Sequence, residues 1–472
     1  MQAESSVVES VAEMSKSRRS FLRALGISTA AAGFGSALST GASAAPPTSS
    51  GFWSNAAALA NDEVFWAQVQ KLFTLDKSLL FMNIGTAGSM PSESLDVLDD
   101  ASRTAAESSG NGYGAHLDIR TAAAAGFGCD GDELVISGNT SDGCCRVLLG
   151  LEWNPGDEIV TTNHEHPGGD VPMAILRDRF GVVIKRVQVP VGNSQTAEDY
   201  VALFGAEITA KTKALFWSSP TYKTGTMLPI RELVDLAISR GLISIVDGAH
   251  LPGMMAYSYR NLGVDFMAGA GHKWQCAPLG TGVLYVRNRV GSFNPLPLAK
   301  IWPTNSSSYS TPANIFPRGP GVNIADRLQS CGSMNRPVYL AWGKSCAIWD
   351  QIGRQKVQDY ILSMSLYLKN RIAQEWGVGA LYSPKDDLRL VSALTSFNPF
   401  RNPADITNQP KSSQFVTRLR EEYGIIIRNV NVPVIGSAQQ HWPLRISTHL
   451  WHDFDDVDDV FEAMKDLSNK MA

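Results

Sequence analysis

Lys273 lies in Gly271-His272-Lys273-Trp274-Gln275-Cys276-Ala277-Pro278-Leu279-Gly280-Thr281-Gly282, a glycine-flanked loop between two apolar runs. Such a lysine faces a ligand rather than bulk water. A Schiff base with a carbonyl needs a neutral amine, and both burial and a neighbouring cation lower a lysine's pKa toward that state. Asp247 comes 26 residues earlier, in Ile245-Val246-Asp247-Gly248-Ala249-His250. It ends a fully apolar strand-like run, so its carboxylate is expected at the carboxyl edge of a sheet. A carboxylate beside a pyridine nitrogen keeps that nitrogen protonated and makes the ring an electron acceptor. Gly138-Asn139-Thr140-Ser141 follows a strand and opens a helix. Free N–H groups at a helix start, with two hydroxyls, form a cradle for phosphate. By itself this signal is weak, because Ser and Thr are commonplace helix caps.

Amine, ring-facing carboxylate and phosphate cradle together describe a site for pyridoxal 5′-phosphate (PLP). His164, in Asn163-His164-Glu165-His166 just past a strand ending at Thr161–Thr162, offers an imidazole to stack on the pyridine ring. The same stretch also reads as a His164/His166 metal pair, though without an evident third ligand, or as a surface loop. Arg445 interrupts the strand-like Pro443-Leu444-Arg445-Ile446-Ser447. It suits either bidentate capture of a substrate carboxylate or a structural ion pair. The six cysteines, at 129, 144, 145, 276, 331 and 346, fit neither a CxxC pair nor a zinc pattern and read as buried small hydrophobes.

The elements that must position these groups alternate. Strands are expected at Leu134–Ile136, Glu158–Thr161, Val182–Val189, Ala214–Trp217, Leu242–Val246, Phe266–Ala268 and Val283–Val286, with helices up to Leu151 and over Ile230–Ser239. Strands alternating with helices of this length imply an α/β domain around a mostly parallel sheet, which binds ligands at the carboxyl ends of its strands. Beyond Pro320 a helical pattern runs from Arg336 to Trp376. Shorter strands follow at Leu388–Ala393, Ile425–Arg428 and Leu444–Ser447, then a helix over Asp455–Leu467, together a smaller α+β domain.

The chain has 472 residues, 44% apolar and 18% charged, with a net charge of −4. That allows two domains with a substantial core and gives no reason to expect a nucleic-acid partner. Ser17-Arg18-Arg19-Ser20-Phe21-Leu22, a mild apolar stretch over Ala24–Leu38 and Ala42-Ser43-Ala44 resemble a twin-arginine export signal with its cleavage site. The expected organisation is residues 1–44 as signal, 45–63 as linker, 64–320 as the large PLP-binding domain and 321–472 as the small domain. The mature protein would start near Ala45, periplasmic or secreted, with the twin-arginine translocase as a partner and no stable membrane anchor.

These motifs resemble the class V aminotransferase family of fold-type I PLP enzymes. Asp247-Gly248-Ala249-His250, His272-Lys273-Trp274, Cys276-Ala277-Pro278 and Gly280-Thr281-Gly282 carry the likeness, and the His-Lys-Trp form is most similar to its isopenicillin N epimerase-like branch. Phe81-Met82-Asn83-Ile84-Gly85-Thr86, Thr224–Ile230, Gly332-Ser333-Met334-Asn335 and Leu444–Ser447 follow in the family's order. The resemblance implies a large domain with a mostly parallel seven-stranded sheet flanked by helices, a small C-terminal domain, and a homodimer. It implies Lys273 as Schiff-base lysine and proton carrier, Asp247 on the pyridine nitrogen, His250 near the ring's O3′ or the Asp, and His164 on the ring. Thr140, Ser141 and His272 would bind phosphate, with Ser333 contributed by the partner subunit. Arg445 and the Asn83 segment would meet the substrate. Two departures stand out. Ala270 replaces a common phosphate-binding Ser, and Tyr222 lies near a usual O3′ donor position with its role open. Cysteine desulfurase relatives carry a nucleophilic Cys before the Arg strand, whereas Arg428–Trp442 contains none. The expected activity is α-carbon chemistry on an amino-acid or peptide-like substrate: epimerisation, transamination, elimination (including C–S lysis) or decarboxylation. The export signal favours periplasmic tailoring of a secondary metabolite. A non-catalytic PLP-fold binding protein is the rival of another class, although it would be expected to lose Lys273, Asp247 or Arg445. An α/β hydrolase lacks its Gly-x-Ser-x-Gly elbow here.

Overall fold

The computed structural model describes residues 62–305 and 324–472. The expected export signal (1–44), most of the linker and the expected boundary at 320/321 lie outside them.

Up to the sheet's last strand the elements run α1 (Glu63–Gln70), β1 (Leu80–Phe81), α2 (Ser92–Ser108), α3 (Leu117–Ala124), β2 (Leu134–Ser137), α4 (Thr140–Gly150), β3 (Glu158–Thr162), α5 (Pro167–Phe180), β4 (Val183–Val187), α6 (Ala197–Glu207), β5 (Thr212–Ser218), α7 (Ile230–Ser239), β6 (Ile243–Asp247), β7 (Phe266–Ala270) and β8 (Gly282–Val286). Seven strands form one sheet in the order β2-β8-β7-β6-β5-β3-β4. Only β8 runs against its neighbours, β2 and β7; the remaining pairs are parallel. The expected seven-stranded, mostly parallel sheet is what the chain forms.

Apolar runs become central strands because both faces of the sheet are covered. Alternate residues feed two cores. Val135, Ile159, Phe216, Ile245 and Leu284 pack under α4 and α5 with Val147, Leu148, Met173 and Leu176. Ile136, Val160, Leu215, Trp217, Val246 and Val283 face the other side, with Phe204, Leu233 and Trp342. The period of two that sends successive side chains to opposite faces produces this split. Because the long strands share one direction, the loops after β2, β3, β5, β6 and β7 gather at one edge.

The second part comprises α8 (Ile324–Gln329), α9 (Arg336–Ile352), α10 (Arg354–Trp376), β9 (Leu394–Phe397), α11 (Gln409–Tyr423), β10 (Ile425–Ile426), β11 (Arg428–Asn429), β12 (Leu444–Ser447) and α12 (Phe454–Lys470). Gln329 of α8 pairs with the edge strand β2, accepting from Ile136 N at 2.6 Å and donating to Ile136 O at 3.2 Å. Helix α9 packs on α2 and α3. Three expectations are corrected. The single helix over Arg336–Trp376 is two helices broken at Gly353, whose φ of +96° no other residue type adopts without strain. The strand expected over Leu388–Ala393 is a 3₁₀ turn at Leu388–Leu390, because the Asp387 carboxylate caps Arg389 N; the strand is Leu394–Phe397, which pairs with β12. Ile425–Arg428 is not one strand. Its first two residues pair in parallel with β1, and Arg428–Asn429 pair with β12 in a three-stranded sheet, β11-β12-β9. That change of sheet at Ile427 sets Arg428 opposite Arg445. No helix among the described residues is long and apolar enough to cross a membrane.

Candidate active site

A cavity of about 350 Å³ opens where the strand ends of the large sheet meet the small layer. The large sheet contributes Asp247 at the end of β6, Lys273 and His272 beyond β7, and Asn139, Thr140 and Ser141 at the start of α4. Arg445 and Arg428 come from β12 and β11, and Gly85 and Thr86 from the N-terminal segment. The sequence motifs, up to 360 residues apart (85 to 445), therefore converge.

The Lys273 loop is held by its own backbone: Cys276 N donates to Lys273 O, Ala277 N to Gly271 O, and Gly271 N to Thr281 O, each at 3.0 Å. Gly88 N clamps it from outside at His272 O, 2.8 Å away. A side chain at Gly88 would place its Cβ 2.3 Å from the Lys273 carbonyl oxygen, so only glycine lets the two segments meet. Burial pushes the Lys273 amine down to about 8, Asp247 opposes that shift, and Arg445 and Arg428 reinforce it. Asp247 is 2% exposed. Its Oδ1 accepts from Ala249 N at 3.0 Å. Burial raises its pKa, while Lys273 and this hydrogen bond act in the opposite sense.

Several buried polar atoms around the cavity have no protein partner: Thr140 Oγ1, His272 Nδ1, His250 Nε2 and Arg445 Nη2. Buried polar groups are nearly always paired, so a cluster of orphans at one cavity marks where a polar ligand belongs. Asn139 caps α4 by accepting from Asp142 N at 2.9 Å, which leaves the first turn's remaining N–H groups available to an anion. Arg445 is 2% exposed, donates from Nη1 to the Tyr222 carbonyl oxygen at 2.8 Å, and is lowered to about 9, first by burial and then by Arg428. A side chain at Gly85 would bring its Cβ within 2.9 Å of Arg445 Nη2. Glycine there keeps the guanidinium accessible. His250 accepts from Trp274 Nε1 at its Nδ1, 3.0 Å. The neutral ring therefore carries its proton on Nε2, the unpartnered nitrogen.

Lys273, Asp247, Thr140, Ser141, His272, Tyr222 and Arg445 thus border one cavity, whereas His250, next in sequence to the lining residue Ala249, does not itself line it. Three others of the expected residues do not border this cavity within one chain. His164 is fully buried (0% exposed) and its Nε2 lies 3.3 Å from Pro433 O; the histidine of this turn that borders the cavity is His166, whose ring meets Tyr222 edge-on at 5.1 Å. The turn after β3 decides this: Asn163 Oδ1 accepts from Val189 N at 2.9 Å, and His166 caps α5. Asn83 is engaged by Thr86, whose hydroxyl donates to Asn83 Oδ1 at 3.1 Å, and Gly85 and Thr86 face the cavity instead. Ser333 lies exposed and donates to the Asn111 carbonyl oxygen, away from this cavity within one chain. Arg428 escaped the sequence reading because its place depends on a strand pairing that the sequence does not display.

The family model described as aminotransferase class V matches residues 101–460. This chain belongs to the class V aminotransferase family. It is a PLP-dependent enzyme, and its cavity-lining lysine, the buried Asp247 carboxylate and the unpartnered polar atoms around the cavity fit that cofactor. Among family members it is similar to isopenicillin N epimerase of Amycolatopsis lactamdurans, with 24% identity covering 85% of this chain and 98% of the relative. It is similar also to a probable cysteine desulfurase of Methanothermobacter thermautotrophicus, with 24% identity covering 73% and 82%. Among solved structures, a variant of the C–S lyase C-DES with glycine covalently linked to its PLP cofactor shares the fold. Its TM-score is 0.66 at 22% identity, covering 83% of this chain and all of that one.

Proposed function

We propose that this class V enzyme is exported and moves a proton at the α-carbon of an amino-acid or peptide-like substrate, with Lys273 as the proton carrier. The observation that carries the reading is the meeting of Lys273, Asp247 and Arg445 at one cavity. Bound PLP supplies an electron sink for the bond broken at the α-carbon. Lys273 would hold the cofactor, and its amine, with a pKa lowered by burial to about 8, would take or return the proton at the α-carbon. The Asp247 carboxylate keeps a proton on the ring nitrogen. Thr140, Ser141, the start of α4 and His272 hold the phosphate, joined by Ser333 of a partner subunit in a homodimer. His250, with Nε2 unpartnered, would donate to the cofactor's O3′, and Arg445 would take the substrate carboxylate, with Tyr222 beside it at the cavity.

Covering the ring falls to His166. His166→Ala is expected to shift the cofactor's absorption and lower turnover roughly a hundredfold. His164→Ala is expected to lower the melting temperature while leaving turnover within about threefold, because His164 packs beneath the Pro433 loop. Equal effects of the two would return the role to either histidine.

Persulfide chemistry of the desulfurase kind is not favoured. Arg428–Trp442 has no cysteine, and among the described residues no thiol borders the cavity. Cys276, three residues beyond Lys273, is fully buried and packs 3.9 Å from His449 Nε2. Epimerisation of a peptide-like metabolite outside the cytoplasm is the reading preferred over transamination or C–S lysis, supported by the epimerase relative's coverage of the chain. The test is α-proton exchange in D₂O, followed by NMR, across amino acids and short peptides. The holoenzyme should wash the α-proton out of its substrate and form the other enantiomer or epimer at the same centre. Release of pyruvate or a sulfur product would favour elimination instead. For export, Arg18→Lys with Arg19→Lys should hold the protein in the cytoplasm, whereas the unaltered chain should be recovered outside it, starting near Ala45. Identical fractionation of the two would remove the export proposal.

A further inference from the structure

Once the phosphate cradle and the carboxylate-binding Arg445 are assigned, one strong cation of the cavity is left over. Arg428 and Arg445 are direct cross-strand partners in β11 and β12, and both border the cavity. Like charges facing each other across an antiparallel pair destabilise it. Neither arginine has an ion pair among the described residues. Arg428 donates from Nε to the Asn429 carbonyl oxygen at 3.2 Å, and Arg445 keeps Nη2 unpartnered. The effect of the pair is felt around the cavity: both arginines depress the pKa of Lys273 and of His166. Asp247, the one carboxylate among the residues bordering the cavity, belongs to the opposite layer and interacts with Lys273. The phosphate is served by hydroxyls, an imidazole and the start of α4, all on the sheet side, and needs no arginine. A single α-carboxylate matches a single guanidinium fork. Buried Arg445 and exposed Arg428 thus offer the cavity two cations without a carboxylate partner among the described residues, and two anionic groups would match them.

We infer that the substrate is an α-amino acid whose side chain ends in a second anion, a carboxylate or a sulfur oxyacid, and that Arg428 binds this distal group while Arg445 binds the α-carboxylate. The inference rests on the reading of Arg445 given above and adds the substrate's charge. Binding both ends on adjacent strands fixes the α-carbon between them, so the proton it loses is presented to Lys273 in one orientation.

The test uses isosteric pairs, so that size cannot explain the result. The full-length holoenzyme is titrated with aspartate against asparagine and glutamate against glutamine, in both enantiomers, with the shift of the cofactor band as the readout. For at least one pair the acid should half-saturate the shift at a concentration roughly tenfold or more below that of its amide. Arg428→Gln should bring that ratio to about one while leaving the amide's own half-saturation within about threefold, and Arg428→Lys should restore part of the preference. Arg445→Gln should weaken acid and amide alike. Melting curves of each holoenzyme variant verify that it is folded. No preference for acids in the unaltered protein overturns the inference, as would a partner-subunit carboxylate already neutralising Arg428. Equal weakening of acid and amide by Arg428→Gln overturns it too, since Arg428 would then only support Arg445. If no amino acid moves the band at all, the amino-acid reading itself fails; if amino acids move it without regard to the second charge, only this inference fails.

Discussion

Lys273→Ala is expected to lower turnover by about a thousandfold or more and to abolish the borohydride-sensitive near-visible band of the holoenzyme. Two jobs are lost at once: the covalent hold on the cofactor and the proton carrier at the α-carbon. Cofactor should still bind, since Thr140, Ser141, His272 and Asp247 are untouched, so the variant should retain PLP that dialysis removes more readily. The pH dependence follows from the surroundings of Lys273. Its amine is pushed down to about 8 by burial, against the Asp247 carboxylate. Only the neutral amine attacks the cofactor's aldehyde. Stopped-flow mixing of the PLP-free enzyme with PLP should therefore show the band forming about tenfold faster per pH unit below roughly 8, then levelling off. An amine with the ordinary pKa near 10.4 would still be accelerating at pH 9.5.

Asp247→Asn should separate activity from stability. In the holoenzyme the amide cannot keep a proton on the ring nitrogen, and turnover should fall by roughly a thousandfold. In the PLP-free protein the same change should stabilise. Burial raises the folded-state pKa of Asp247. Above the ordinary carboxylate pKa the native protein therefore holds more protons than the unfolded chain, and stability falls as pH rises through that window. Asparagine is nearly isosteric and removes this penalty. The melting temperature of the PLP-free variant should exceed that of the unaltered protein at pH 7, and the difference should shrink toward pH 4. A drop in both activity and melting temperature at pH 7 would mean that Asp247 serves chiefly as a structural partner of Lys273.

Asp247 and Arg445 were legible in the sequence because each charge ends or breaks an apolar run, and Lys273 because it sits in a glycine-flanked loop between two such runs; charges are left in such places for a ligand or a partner. The sheet was legible because strands covered on both faces carry unbroken apolar residues. What escaped depends on tertiary pairing. The choice between His164 and His166 is made by the Asn163–Val189 bond and by the cap of α5, which turn one imidazole toward the cavity and bury the other. Arg428 becomes a site residue only because the chain changes sheets at Ile427 and faces Arg445 across β12. The Leu388–Ala393 stretch is apolar enough for a strand, yet the Asp387 cap winds it into a turn. The break at Gly353 was signalled by the glycine, but the long apolar pattern on either side masked it.

The most direct measurement is to locate the covalent attachment itself. Holoenzyme is treated with borohydride, digested and mapped by mass spectrometry for the peptide carrying a reduced pyridoxyl phosphate group. The modification is predicted on Lys273 alone. Modification of Lys223 or of any other lysine, or of none while the near-visible band is present, would contradict the assignment on which every role proposed here depends.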